Sequence, residues 1–233
     1  MTVFCLAELD GDMVADASLR ALTLARGLAA CVSTGVAAVV FCAPDLALGP
    51  DLALGPDLAL GPDLTAYGAG DVFVVSGVDG YAPQAWARVL AELVGADADA
   101  DADAPPDISR HAVVAAGTER GNEVMAHLGA ITGLPLAANC VAAFPADAGG
   151  LEIVRQRWAG LLLEDAALDA PAALLTVATD AVSPEPAPAP GAAVVHGAGA
   201  SVRDADLVVR AVESPAGAGG ASLATARVVV GGG

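Results

Sequence analysis

The chain has 233 residues, 55% apolar but only 3% aromatic, and no lysine; ten arginines stand against 28 acids, a formal net charge of −18. That charge repels a nucleic-acid backbone and an acidic membrane surface and disfavours both as partners; it reads as solubility in a crowded or salt-rich cytosol ahead of a docking face for a basic partner. The length allows one large domain with at most a small appendage, and the Ala, Val and Leu inventory suits an aliphatic sheet under Ala-rich helices.

Residues 3–9, VFCLAEL, predict the first strand. Residues 16–31 follow with Leu19, Leu22, Ala25 and Leu28 at helical spacing, and with Asp16 or Ser18 as N-cap. Residues 35–43, GVAAVVFCA, predict a second buried strand, so the unit is β-α-β with a right-handed crossover. Residues 44–64 then repeat PDLALG three times and begin a fourth copy at Pro62. Pro and Gly in every unit block both helix and ladder, so the repeat reads as an insertion in a surface loop rather than as a solenoid.

A third strand is expected from Asp71 to Ser76, an amphipathic helix over 81–95, and an acidic low-complexity loop over 96–107. Residues 111–117 predict the fourth strand. Residues 118–133 predict a helix with Thr118 as N-cap and Gly133 closing it, and residues 134–143 the fifth strand. Strands alternating with helices in this way imply an α/β fold with a doubly wound, mostly parallel sheet. Beyond residue 150 the texture changes. A hairpin is expected over 150–164, a strand over 172–179, a Pro-rich linker over 183–191, a strand over 205–214 and a flexible link over 215–222. The last element is a buried strand, Ala226 to Val230, leading into a glycine turn, Gly231 to Gly233.

Little of this carries chemistry. His111, His127 and His196 stand in unrelated contexts, and no serine lies in a G-x-S-x-G, so no catalytic residue is nominated. Cys5, Cys31, Cys42 and Cys140 lack C-x-x-C spacing; Cys5, Cys42 and Cys140 lie in apolar runs and read as core residues, with no metal site. The start, MTVFCLAELD, has no basic region, and no apolar run approaches the ~20 residues of a membrane span, so a cytoplasmic location is expected. The glycine-rich stretches 197–201 and 217–222 do not open a helix after a strand and read as linker. The most suggestive segment is AAGTERGNEV, 115–124, where a helix N-terminus follows a parallel strand and would attract phosphate. Glu119 and Glu123 oppose an anion there and Arg120 offsets one of them. A capped structural helix and an AMP- or ATP-binding module at Ala116 to Gly121 are the competing readings.

The order of these pieces resembles the alpha subunit of electron transfer flavoprotein. VFCLAELDGDMVADASLRALTLARGLA, with its Ala7-Glu8 pair, is similar to the family's opening strand and helix; LTAYGAGDVFVVSG is similar to its helix end and valine-rich strand. VVAAGTERGNEVMAHLGAITGLPLAANCVAA, GLEIVRQRWAG and ALLTVAT resemble its later strands, helix and hairpin. In the family, VVSGGRG opens an FAD-binding domain; here the text is VVVGGG, with Val230 for serine and Gly233 for arginine, and Ala178 stands where the family tends to have arginine. The resemblance implies a Rossmann-like N-terminal domain over 1–182, a linker with one strand over 183–225, and the first residues of an FAD domain over 226–233. The rest of that domain would lie outside these 233 residues. It implies a heterodimer with a beta subunit, in which electrons pass from dehydrogenases through FAD to a quinone-linked oxidoreductase, the chain being a carrier component and not an enzyme. Gly231 and Gly232 are the residues expected to touch FAD, through close backbone approach. AMP in such complexes belongs to the beta subunit, at the helix start equivalent to Thr118 to Gly121. A decayed paralogue is the remaining alternative.

Overall fold

A computed structural model describes residues 2–11, 13–42, 64–78, 80–95, 111–147, 149–170, 172–189, 191–200, 202–208, 227–228 and 230. The PDLALG repeat up to residue 63, the 96–107 tract, the 215–222 link and Gly231 to Gly233 therefore lie outside the described residues.

The chain runs β1 (Val3–Ala7), a short antiparallel pair β2 (Leu9–Asp10) and β3 (Met13–Val14), α1 (Asp16–Cys31), β4 (Val36–Phe41), β5 (Ala69–Ser76) and α2 (Pro83–Val94). It continues through β6 (Ala112–Ala116), α3 (Glu119–Thr132), β7 (Leu136–Pro145), β8 (Leu151–Arg157), β9 (Leu162–Leu168), β10 (Leu174–Val177), β11 (Val194–Gly199) and a 3₁₀ turn at Asp204–Leu207. Nine strands make one sheet in the order β11-β5-β4-β1-β6-β10-β7-β8-β9. All neighbours are parallel except β7–β8 and β8–β9. This is the doubly wound, mostly parallel architecture that the strand and helix alternation predicts.

The central strands β1, β4 and β6 are buried at every residue, as a parallel sheet covered on both faces requires. Two aliphatic cores result. On one face Val3, Cys5, Val40 and Val114 meet α1 through Leu22, Ala25 and Leu28; on the other, Leu6, Val39 and Val113 meet α2 and α3 through Leu90, Met125 and Leu128.

Several expectations need correction. The N-cap of α1 is Ala15, without a side-chain bond. Ser18 is buried, and its hydroxyl serves the Glu8 main chain instead, accepting from Glu8 N at 2.8 Å and donating to Glu8 O at 3.3 Å. The strand expected over 172–179 is present as β10, but it inserts between β6 and β7. The 183–191 stretch is no free linker. Arg20 donates to Val182 O at 2.8 Å, Arg26 to Glu185 O at 2.8 Å, and Thr23 Oγ1 accepts from Glu185 N at 3.0 Å, so α1 holds the segment down. It delivers β11 to the sheet edge beside β5, where the glycines of 197–201 had suggested linker. Of the strand expected over 205–214, residues 209–214 lie outside the described residues; its start lies in the 3₁₀ turn, where buried Asp206 is drawn onto α2 by Gln84 (3.0 Å) and Arg88 (2.8 Å) and is also held by Arg203 (2.9 Å). Of the terminal strand, Arg227 and Val228 form a bend and Val230 is 91% exposed. A strand forms through main-chain hydrogen bonds to a neighbour, and none is made by Arg227, Val228 or Val230 among the described residues; Ala226 and Val229 lie outside them.

Candidate functional site

Between β1 and β6 the strand order reverses: the first crossover carries the chain to β4 on one side, and α2 returns it to β6 on the other. Ligands of open α/β sheets bind at the carboxyl ends of the strands at such a point. Here those ends are Ala7-Glu8 and Ala116-Gly117-Thr118. Thr118 caps α3 as the sequence predicts, its Oγ1 accepting from Gly121 N at 2.9 Å. The same hydroxyl donates to Glu8 Oε1 at 2.5 Å. Asn122 N is also used, donating to Thr118 O at 3.0 Å.

Glu8 is therefore the centre of the crevice. It is only 9% exposed. Its main chain is tied to Ser18 and to Ala15 N, at 3.0 Å, and its carboxyl to Thr118. Burial pushes the carboxyl above its usual range, while the Thr118 hydrogen bond and the Arg120 charge pull it back in part. A polyphosphate brought to this helix start would meet a carboxylate rather than a free row of N–H donors.

The glycines here serve packing. A Cβ on Gly121 would lie 2.0 Å from Ala116 O, and one on Gly117 2.5 Å from Val177 O. The resemblance of this segment to a phosphate loop thus comes from a helix start pressed onto two strand ends. Outside the crevice Tyr81 donates to Glu123 Oε2 at 2.7 Å, and the Arg120 guanidinium stands 5.2 Å from the Tyr81 ring centre. Burial and the Glu123 carboxylate both push the phenol up. Tyr81 meets Trp86 edge-on at 5.4 Å, and Trp86 stacks on Phe41 at 4.3 Å. Of the residues foreseen from the sequence, Thr118 holds the crevice, while Arg120 and Glu123 meet Tyr81 outside it; Glu8 and Tyr81 were missed, because they come from other elements.

A second polar node was also missed. Thr176, wholly buried on β10, donates to Asn122 Oδ1 at 2.8 Å and accepts from Asn139 N at 3.1 Å. Asn139 sits at φ +59°, where the β7–β10 register shifts. The three histidines are dispersed. His111 precedes β6 and accepts from Thr2 N, His127 lies on α3, and His196 on β11 pairs with Asp71 at 2.8 Å. Cys5, Cys42 and Cys140 are buried as expected, and burial pushes the Cys42 thiol up to about 11 and the Cys140 thiol up to about 12. No cluster of metal-ligating side chains occurs among the described residues, and none of their helices is long and apolar enough to cross a membrane. The expected FAD contacts, Gly231 and Gly232, lie outside the described residues. Among those described, the crevice does not suit the group: its mouth holds the Glu8 carboxyl, and its glycines are filled by backbone.

The other distinctive surface is the β8–β9 hairpin. Its turn holds Trp158, Ala159 and Gly160 at positive φ, which turns Trp158 (78% exposed) and Leu161 (83% exposed) into solvent. Beside it a polar cavity of about 410 Å³ is lined by Asn139, Gln156, Arg157, Trp158 and Asp180.

Compared with known proteins, residues 3–202 match the family model described as the electron transfer flavoprotein domain. No curated protein matches the chain.

Proposed function

Because the chain belongs to the electron transfer flavoprotein family, we propose that it is the N-terminal, partner-packing domain of an alpha-type subunit, a non-enzymatic component of an electron carrier. In the assembled heterodimer with a beta subunit, electrons pass from dehydrogenases through FAD to a quinone-linked acceptor. The chain's part is architectural: it holds its partner and leaves nucleotide and flavin to other domains of the complex. We place it in the cytoplasm.

The observation that supports this reading is the closed crevice. Glu8 and Thr118 occupy the place at the strand ends where a nucleotide-binding relative of this fold would take a phosphate. The rival reading, an AMP- or ATP-binding module at Ala116 to Gly121, needs those groups to part. Thermal-shift measurements with AMP, ATP and FAD decide between them. We expect no shift with either adenine nucleotide and no submicromolar binding of FAD. An AMP or ATP shift of several degrees that is lost in Thr118→Pro or Arg120→Glu would establish the rival.

A further inference from the structure

The polar cavity beside the β8–β9 turn is separate from the crevice at Glu8. Its volume of about 410 Å³ is that of a small-molecule site. It opens at the carboxyl ends of parallel strands, where sheets of this kind take their ligands. Asp180 comes from the turn that follows β10, and Asn139 from the part of β7 that lies beside the end of β10. The Asn139 amide reaches across the sheet toward β6, since a Cβ on Gly117 would lie 3.2 Å from its Oδ1. Gln156 and Arg157 come from the end of β8, and Trp158 from the turn beyond it.

Two observations mark the cavity as a site. The first is backbone strain. Among the described residues Ser33, Asn139, Trp158 and Ala159 are the non-glycines at positive φ, and all but Ser33 line this one cavity. Conformations of this kind gather where a ligand is clamped. The second is that the polar groups of the cavity are unspent. Among the described residues no side-chain hydrogen bond or ion pair uses the Asn139 amide, the Gln156 amide or the Asp180 carboxylate. Arg157 approaches Glu164 only at 3.8 Å, and Arg155 already holds that acid at 2.5 Å.

The lining defines the occupant. A guanidinium presents a fork of donors that fits a carboxylate. A carboxylate and two amide oxygens accept from the N–H groups of an ammonium. Trp158, 78% exposed, adds a flat apolar face. A phosphate-bearing ligand is disfavoured, because one arginine works against a net charge of −18, whereas a zwitterion adds no net charge. We infer that the cavity binds a free α-amino acid with an apolar side chain. Its carboxylate lies on Arg157, its ammonium on Asp180 and the amide oxygens of Asn139 and Gln156, and its side chain against the Trp158 indole. This site does not depend on the partner-packing reading above, and its failure would leave that reading as it stands.

Titration calorimetry of the full chain with L-phenylalanine, and with L-leucine as the aliphatic probe, tests the site. We expect saturable binding. Arg157→Gln and Asp180→Asn should each weaken it by about tenfold or more, the loss of one charge-assisted contact. Asp165→Asn, on β9 and outside the cavity, should leave it unchanged. N-acetyl-L-phenylalanine and L-phenylalanine amide each lack one of the two charges and should bind more weakly than the free amino acid by a similar factor. Binding should also shift the tryptophan emission, and Trp158→Phe should abolish that shift while retaining affinity. Melting temperatures of the variants guard against a folding artefact. No saturable binding of either amino acid to the unmodified chain overturns the proposal. Binding undiminished in both charge variants overturns the assignment to this cavity. Blocked derivatives that bind as tightly as the free amino acid overturn the zwitterion.

Discussion

Gly121→Ala is the sharpest test of how the crevice is built. Alanine in place of glycine inside a helix ordinarily stabilises by ~1 kcal/mol. Here the new methyl would stand 2.0 Å from Ala116 O and 3.1 Å from both Glu8 Oε1 and Thr118 Oγ1. The first neighbour is a carbonyl of a buried strand, so no side-chain rotation relieves it. The start of α3 must move away by about an ångström, and that movement breaks the Thr118 cap. Overpacking costs roughly 1–3 kcal/mol and loss of the cap ~1 kcal/mol. Against the helix gain the net loss is about 1–3 kcal/mol. Urea denaturation of the two proteins, with circular dichroism to confirm the fold, measures it directly. Because ~1 kcal/mol moves the melting temperature of a domain this size by about 2–4 °C, Gly121→Ala should melt several degrees lower. A variant equal to or more stable than the parent would refute the close approach of α3 to the end of β6.

Further outcomes follow from the charged groups. Glu8→Gln should raise the melting temperature at neutral pH, because burial holds the carboxyl above its usual range and the neutral form folds better; the advantage should vanish in acid, where Glu8 is itself protonated. An advantage that persists unchanged at acid pH would contradict this. Asp206→Asn has the opposite sign. Burial raises that carboxyl, but Arg203 and Arg88 outweigh it and hold the group below its usual range, so its contribution is present at neutral pH and lost as the solution is acidified through the folded value. The variant should melt several degrees lower at neutral pH, with the gap closing in acid; equal melting at neutral pH would show that Asp206 does not anchor the 3₁₀ turn to α2. The −18 net charge predicts that raising KCl from about 10 mM to 1 M, which shortens the screening length from about 30 Å to 3 Å, increases the melting temperature by a few degrees, whereas an unchanged value would remove self-repulsion from the account.

What the sequence shows of this molecule is its local periodicity. The extent of α1, the Thr118 cap and the Gly133 stop are all local matters, each settled by a residue and its near neighbours, and each is legible. The crevice is not. Glu8 and Thr118 are 110 positions apart, and no pattern around either announces the other. Thr176 reaches Asn122 and Asn139 across 54 and 37 positions. β11 is hidden for a different reason: Gly197 and Gly199 lower its strand propensity, and the β5 edge beside it overrides them. Asp206 likewise sits in a 3₁₀ turn at the start of an alternating run, where three donors from outside that run converge on it.

The place of β10 has a consequence for how the protein is made. β6 and β7 are synthesised early, yet they never touch as neighbours; the strand that joins them, residues 174–177, emerges from the ribosome later. Until it does, β6 is the open edge of one half-sheet, and β7 with its hairpin is a separate antiparallel piece tethered through α3. Folding of the whole sheet must wait for this short keystone, and the closing contacts are long-range and slow to find. A nascent chain stalled before residue 174 would present two unpaired apolar edges at once, the condition in which chains associate with one another.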